Sequence, residues 1–215
     1  MNDRPEHLIY VPVDSAVLEG ALAIPPRAQG MVLFAHGSGS SRHSPRNNFV
    51  AKVLRSGNLG TLLIDLLTEK EDATYQTRFD IELLTRRLVA ATQWLMEQPQ
   101  SKDLGIGYFG ASTGAAAALR AAAHLGPVIG AVVSRGGRPD LTGPILDRVR
   151  TPTLLIVGGN DPIVIELNQQ AFAELNAEKE LVIIPGATHL FEEPGALEEV
   201  ARLAAQWFQG HLSRR

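Results

Sequence analysis

Cysteine is absent from this 215-residue chain. Disulfides, thiolate metal sites and a cysteine nucleophile are therefore excluded, whatever compartment the protein occupies. Charge of one sign is scarce as well. Twenty Lys and Arg against 23 Asp and Glu leave a formal charge of −3, which gives no general attraction to nucleic acid or to an anionic membrane surface. No apolar run is long enough to span a bilayer. The opening Met-Asn-Asp-Arg-Pro-Glu-His lacks the hydrophobic core of a signal peptide, so a cytoplasmic protein is expected. Low-complexity linkers, composition breaks and internal repeats are missing too, and residues 1–215 read as one domain.

What remains is an ordinary soluble globule, 45% hydrophobic and 20% charged. Leu8 to Val13 and Leu18 to Ile24 read as a hairpin that Pro25-Pro26 ends. From Met31 the character changes. The strands Met31 to Ala35, Thr61 to Leu66, Leu104 to Phe109, Val128 to Val133, Thr153 to Val157 and Leu181 to Ile184 are mostly continuous apolar runs, as expected of strands covered on both faces. Helices fall between them, at about Pro45 to Arg55, through Ile81, Leu84, Leu88, Ala91 and Leu95, and from about Ile163 to Leu175. In a final helix Leu197, Val200, Ala201, Ala204, Trp207 and Phe208 share a face, with Pro194 suited to its first turn. This alternation predicts an α/β fold: a mostly parallel sheet with helices on both faces.

Between the strand ending at Phe109 and an alanine-rich helix stands Gly110-Ala111-Ser112-Thr113-Gly114. Small residues two positions either side of the serine permit a sharp strand-to-helix turn that lifts its hydroxyl above the sheet edge. That pattern is the nucleophile elbow of α/β-hydrolases. The competing reading is a glycine-bounded turn with an ordinary N-cap serine.

Two further loops lie at the carboxyl edge of the sheet, where reactive groups gather in such folds. Gly158-Gly159-Asn160-Asp161-Pro162 puts Asp161 there, and Pro185-Gly186-Ala187-Thr188-His189 puts His189 there. The order Ser112, Asp161, His189 is the one an α/β-hydrolase requires. A serine hydroxyl is a weak nucleophile near neutrality, so His189 would take its proton and later return it to the leaving group. Asp161 would hold the imidazole in the right tautomer. Asp140, beyond the strand ending at Val133, is a competing acid, but its approach is longer.

Negative charge on a tetrahedral intermediate needs donors. The backbone N–H groups of Thr113 and of Ser38, in the loop His36-Gly37-Ser38-Gly39-Ser40-Ser41, are expected to form the oxyanion hole. His36 reads as a structural residue orienting that loop. The loop is no phosphate cradle, because no Gly-Lys-Ser/Thr comes after it. Arg42 and Arg46 lie just past the loop, and Arg135 and Arg138 just past the strand ending at Val133. A guanidinium facing the pocket would suit a carboxylate or phosphate. Arg135 and Arg42 are the candidate substrate-binding residues, which would favour an acidic ester, lactone or thioester.

These four segments, His36-Gly37-Ser38-Gly39, Gly110-Ala111-Ser112-Thr113-Gly114, Gly159-Asn160-Asp161 and Gly186-Ala187-Thr188-His189, make the chain resemble the dienelactone-hydrolase-type branch of the α/β-hydrolases, from about Leu8 to the last helix. It is also similar to small cytoplasmic hydrolases of unassigned substrate, some of whose relatives are fused to a phosphoribosyltransferase domain; no such domain is expected within these residues. The resemblance implies about eight strands with the second antiparallel, and hydrolysis through an acyl-enzyme. Dienelactone hydrolases themselves use a cysteine nucleophile where this chain has Ser112. Short connections leave little room, and no separate lid domain is expected. The expected activity is a serine hydrolase acting on carboxylic esters or related acyl compounds, without metal or cofactor, on a small-molecule substrate. Thioesterase, lactonase and small-peptide hydrolase share the same chemistry, and a low-turnover binding module is the alternative of another class.

Overall fold

In the computed structural model, which describes residues 6–212, β1 (His7–Val13) and β2 (Ala16–Ala23) form a hairpin about a turn in which Asp14 takes a φ of 52°. Residues 1–5, within the polar opening segment, lie outside the described part. β3 (Gly30–Ala35) is buried along its whole length and leads through the His36 loop to α1 (Pro45–Ser56). Ser44 caps α1 by accepting from the Asn47 N–H, and Pro45 stands in its first turn.

β4 (Leu59–Ile64), again wholly buried, is followed by the short α2 (Glu69–Asp72) and the long α3 (Ile81–Glu97). Then come β5 (Gly105–Ala111), α4 (Thr113–Leu125), β6 (Ile129–Arg135), β7 (Thr153–Gly158), α5 (Pro162–Glu174), β8 (Lys179–Ile184) and α6 (Ala196–His211). The strands order as β1-β2-β4-β3-β5-β6-β7-β8 in one eight-stranded sheet. β2 runs antiparallel to both its neighbours, and every pair from β4 to β8 is parallel. This is the eight-stranded arrangement the resemblance implied. Several strand boundaries shift by one or two residues, the strand expected at Thr61 to Leu66 being Leu59–Ile64 and that at Val128 to Val133 being Ile129–Arg135, and Pro194 is displaced as well. Gly195, at φ 83°, is the N-cap of α6, so the proline sits just outside the helix. A left-handed cap residue ends the preceding turn there, which a proline-first reading does not anticipate.

Because strand side chains alternate between faces, the sheet builds two cores. Leu33, Leu62, Tyr108 and Val132 pack on one face under α3 and α4, against Leu84, Leu88 and Leu119. Val32, Phe34, Phe109, Val133 and Ile156 pack on the other under α1 and α6, against Leu54, Val200 and Phe208. Tyr108, fully buried, meets Thr92 through its hydroxyl at 2.6 Å, and burial pushes that phenol's pKa up. No helix among the described residues is long and apolar enough to cross a membrane.

The connection from β4 to α3 carries a half-buried ionic clamp. Thr68 and Glu71 form a reciprocal capping box at the start of α2. Arg87 of α3 reaches across to donate to both Glu71 carboxylate oxygens, at 2.5 Å each, and to the Leu66 carbonyl at 2.9 Å. The Arg87 hydrogen bonds, with those from Thr68, hold the Glu71 carboxyl far below its ordinary range, at about 2. A depressed carboxylate stabilises the fold above its unfolded pKa, and that stability is lost as pH falls through the folded value. Wild-type melting temperature should therefore drop as pH is lowered from 4.5 towards 2. Glu71→Gln, less stable near neutrality, should lose less over the same interval; parallel curves for the two proteins would remove the clamp from the acid response.

Candidate active site

The turn between β5 and α4 is tightly constrained. Ser112 takes φ 50° and ψ −121°, a conformation L-residues avoid. Three hydrogen bonds hold it there. Its N–H donates to Arg135 O at 3.2 Å, and its carbonyl accepts from Arg138 N and Ala115 N, each at 3.1 Å. Neighbouring glycines are required by space. A Cβ on Gly110 would lie 2.5 Å from Ala115 Cα, and one on Gly37 would lie 3.0 Å from Ser112 Cβ. At Gly114 a Cβ would overlap the Ala35 carbonyl oxygen and come within 2.5 Å of that of His36. The half-buried Ser112 makes no side-chain cap to its helix, so its hydroxyl is not spent as an ordinary N-cap.

Asp161 and His189, 28 residues apart, meet through a hydrogen bond of 2.7 Å between His189 Nδ1 and Asp161 Oδ2. Asp161 opens α5 but makes no side-chain cap there, which leaves its carboxylate for the imidazole. With Nδ1–H donating to the carboxylate, Nε2 is left as the acceptor. Their two loops are stapled together: Asn160 donates its N–H to Ala187 O and its Nδ2 to Gly186 O, both at 2.9 Å. His189 is 40% exposed and Asp161 17%. Asp140, the alternative acid, is held instead by Arg138 at 2.6–2.8 Å.

Gly136 joins the two halves of this arrangement. It takes φ 51°, and a Cβ there would lie 3.4 Å from the His189 ring. The backbone on either side of it, at Arg135 and Arg138, is bonded to Ser112. Ser112 and His189 thus flank one short segment, although among the described residues no hydrogen bond joins the serine hydroxyl to the imidazole. Sequence alone assigns Gly136 no role, because a left-handed glycine after a strand is visible only once the neighbouring loop is placed.

The His36 loop is built around that histidine. His36 is buried, with Nδ1 on Gly37 O at 3.0 Å and Nε2 accepting from Leu66 N at 3.1 Å, so both ring nitrogens are engaged in positioning the loop. Ser38 N–H, expected as an oxyanion donor, points at the elbow but donates to the Thr113 hydroxyl at 2.9 Å. Beside the loop a cavity of about 580 Å³ is lined by Val17, Ser40, His43, Leu67 and Thr68, among others.

The four arginines separate by their partners. Arg42 pairs with Asp65 and with Glu19, Arg46 with Glu192 and Arg138 with Asp140. Arg135 has no carboxylate among the described residues. It is 8% exposed, its guanidinium carbon lies 5.8 Å from the centre of the Phe191 ring, and its Nε and Nη1 are buried without a partner. Burial first, then the neighbouring Arg46 charge, lower its pKa to about 10.

An eight-stranded sheet of this order, with a strained serine at the end of β5 and an Asp–His pair beyond β7 and β8, has the α/β-hydrolase fold. Residues 65–212 match the dienelactone hydrolase family. The chain belongs to that family. The crystal structure of a dienelactone hydrolase from Anabaena variabilis is 56% identical and superposes with a TM-score of 0.94, covering 96% of this chain and 98% of that one. Est1E from Butyrivibrio proteoclasticus has the same fold at 17% identity, with a TM-score of 0.81 over 94% of this chain and 98% of its own. Two Mycobacterium tuberculosis proteins named as phosphoribosyl transferases, from strains CDC 1551 and H37Rv, are 54% identical over 212 residues. The chain spans about half of their length, 47%, and they cover 99% of it.

Gly114→Ala tests the packing that shapes the elbow. Forcing α4 away from the β3 carbonyls should destabilise the fold by about 2–3 kcal/mol in urea denaturation. Wild-type stability in that variant would mean the helix has room to shift.

Proposed function

We propose that the protein is a serine hydrolase that cleaves small carboxylic esters or related acyl compounds through an acyl-enzyme. The observation that carries this reading is the 2.7 Å Asp161–His189 hydrogen bond beside a serine whose φ is 50°. Ser112 Oγ attacks the acyl carbon while His189 Nε2 takes its proton; Asp161 stabilises the imidazolium. The tetrahedral oxyanion is held by the Thr113 N–H, which at the first helical position has no intrahelical acceptor, and by a second donor from the Ser38 side. Collapse expels the alcohol, protonated by His189, and leaves Ser112 acylated. Water, activated by the same imidazole, then hydrolyses that ester and frees the serine. A serine–histidine contact that tightens only when substrate binds is ordinary for this chemistry. The 56% identity to a protein called a dienelactone hydrolase keeps lactones among the candidate substrates.

Labelling with a fluorophosphonate probe tests the reading. Wild type should be labelled, and Ser112→Ala should be neither labelled nor active, with turnover lower by about 10⁶-fold. A folded wild type that resists the probe would favour a binding module instead.

Arg135 supports a preference for acidic acyl groups, since its buried guanidinium carries two donor nitrogens without a partner. Arg42 is the weaker candidate because Asp65 and Glu19 already occupy it. Arg135→Met should raise KM for esters bearing a carboxylate about tenfold or more, the loss of one charged hydrogen bond, and leave neutral esters unchanged. An equal effect on both classes would remove Arg135 from recognition.

A further inference from the structure

We propose that a cleft between α3, α4 and the loop joining β6 to β7 binds a small organic phosphate, a dianionic head on an apolar body. None of Ser112, Asp161 and His189 lines this cleft, so the proposal does not rest on the hydrolase reading. It encloses about 330 Å³, within the size of small-molecule sites. Val89, Ala123 and Ile145 give it apolar walls, and Arg86, Arg120 and Arg148 bring three guanidiniums to them. Three arginines at one cleft stand out in a chain whose formal charge is −3. The alanine-rich α4 shows the bias most clearly. Its residues from Thr113 to Leu119 are all buried, and its only ionisable side chains, Arg120 and His124, lie one turn apart and both line the cleft. The last turn of a helix favours cations for its dipole alone. That does not account for Arg86, in the first half of α3, or for Arg148, in a loop.

Arg120 is half-buried, and its Nη1 donates to the carbonyl of the buried Thr142 at 3.0 Å, which holds the fork in place without neutralising it. Neither Arg120 nor Arg148 pairs with a carboxylate among the described residues. The acid lining the cleft, Glu82, lies 3.6 Å from Arg86, one turn along α3, and offsets that charge alone. Two guanidiniums are left without a counter-charge against apolar walls, an arrangement that focuses positive potential on the space between them. Their two charges match a phosphate monoester better than a single carboxylate, and each fork can donate parallel N–H bonds to phosphate oxygens. The apolar walls call for a hydrocarbon or aromatic body behind that head, which inorganic phosphate lacks.

Calorimetric titration of the whole chain with phenyl phosphate tests the site. Wild type should bind one equivalent with a Kd below about 1 mM at low ionic strength. Inorganic phosphate, without the ring, and phenylacetate, with one charge, should each bind about tenfold or more weakly than phenyl phosphate. Arg120→Met and Arg148→Met should each weaken phenyl phosphate about tenfold or more, the loss of one charged hydrogen bond. The Arg148 side chain is exposed, so its variant should keep the wild-type melting temperature and carries the test if Arg120→Met fails to fold. Ser112→Ala should bind as wild type does. A wild type that shows no saturable binding overturns the proposal, and so does binding that both arginine variants retain. Equal binding of inorganic phosphate or of phenylacetate also overturns it, since the cleft would then hold counter-ions without reading an organic phosphate. Binding lost in Ser112→Ala would place the phosphate at the reaction edge, which overturns the second site and spares the hydrolase reading.

Discussion

The close backbone contact between the end of β3 and the first turn of α4 constrains everything at the reactive edge. Gly114 lies directly on the Ala35 and His36 carbonyls, with no space for even a methyl group. That contact sets where α4 begins, and hence the tight turn that Ser112 must make after β5. It also brings the His36 loop within one hydrogen bond of Thr113. β3 and β5 are neighbours in the sheet, while the chain from β3 runs outward to β4 before returning to β5. The order of strands reverses at this point, and the crevice such a reversal opens is where α/β sheets place their chemistry.

The second constraint lies on the far side of the serine. β6 ends in Arg135, whose carbonyl anchors the Ser112 amide, and Gly136 then turns so that the His189 ring can lie over it. Any side chain at 136 would face an already strained φ of 51° and the imidazole at 3.4 Å. Ser112 and His189 are thereby referred to one short segment, although they come from loops far apart in the chain. His189 stays two-fifths exposed. In the proposed reaction, an imidazole this open would meet the water that the second half consumes.

Much of this was legible in the sequence because it depends on local patterns. Continuous apolar runs marked β3 to β7 as covered strands, and glycines spaced around Ser112 marked the turn that has no room for side chains. Asp161 and His189 stood out because each sits in a glycine-containing loop just past the end of a buried strand. Other features depend on contacts between distant segments and left no local trace. Nothing near Thr113 in the chain indicates that Ser38 reaches its hydroxyl. Gly136 carried no motif. Pro194 read one step too far into α6, because a left-handed Gly195 closes the preceding turn first. The α2 capping box lay in a stretch too short and polar for any periodicity.

The arginines show why composition alone could not rank them. All four stand near the reactive edge in sequence, and each could have been either bait for an anion or one half of an ion pair. Two are paired across the fold, Arg42 with Glu19 and Asp65 and Arg46 with Glu192, and Arg138 is paired with its near neighbour Asp140. Arg135 alone is left buried beside a second cation and an aromatic ring. A buried guanidinium with idle donors is expensive to keep, and removing its charge by deprotonation is remote even with the pKa lowered to about 10. The fold holds such a group next to Gly136, the residue that Ser112 and the His189 ring flank, and so keeps positive potential at this edge of the sheet. On the proposed reading, that potential would favour a developing oxyanion as well as an acidic substrate, so recognition and charge stabilisation would draw on the same desolvated cation.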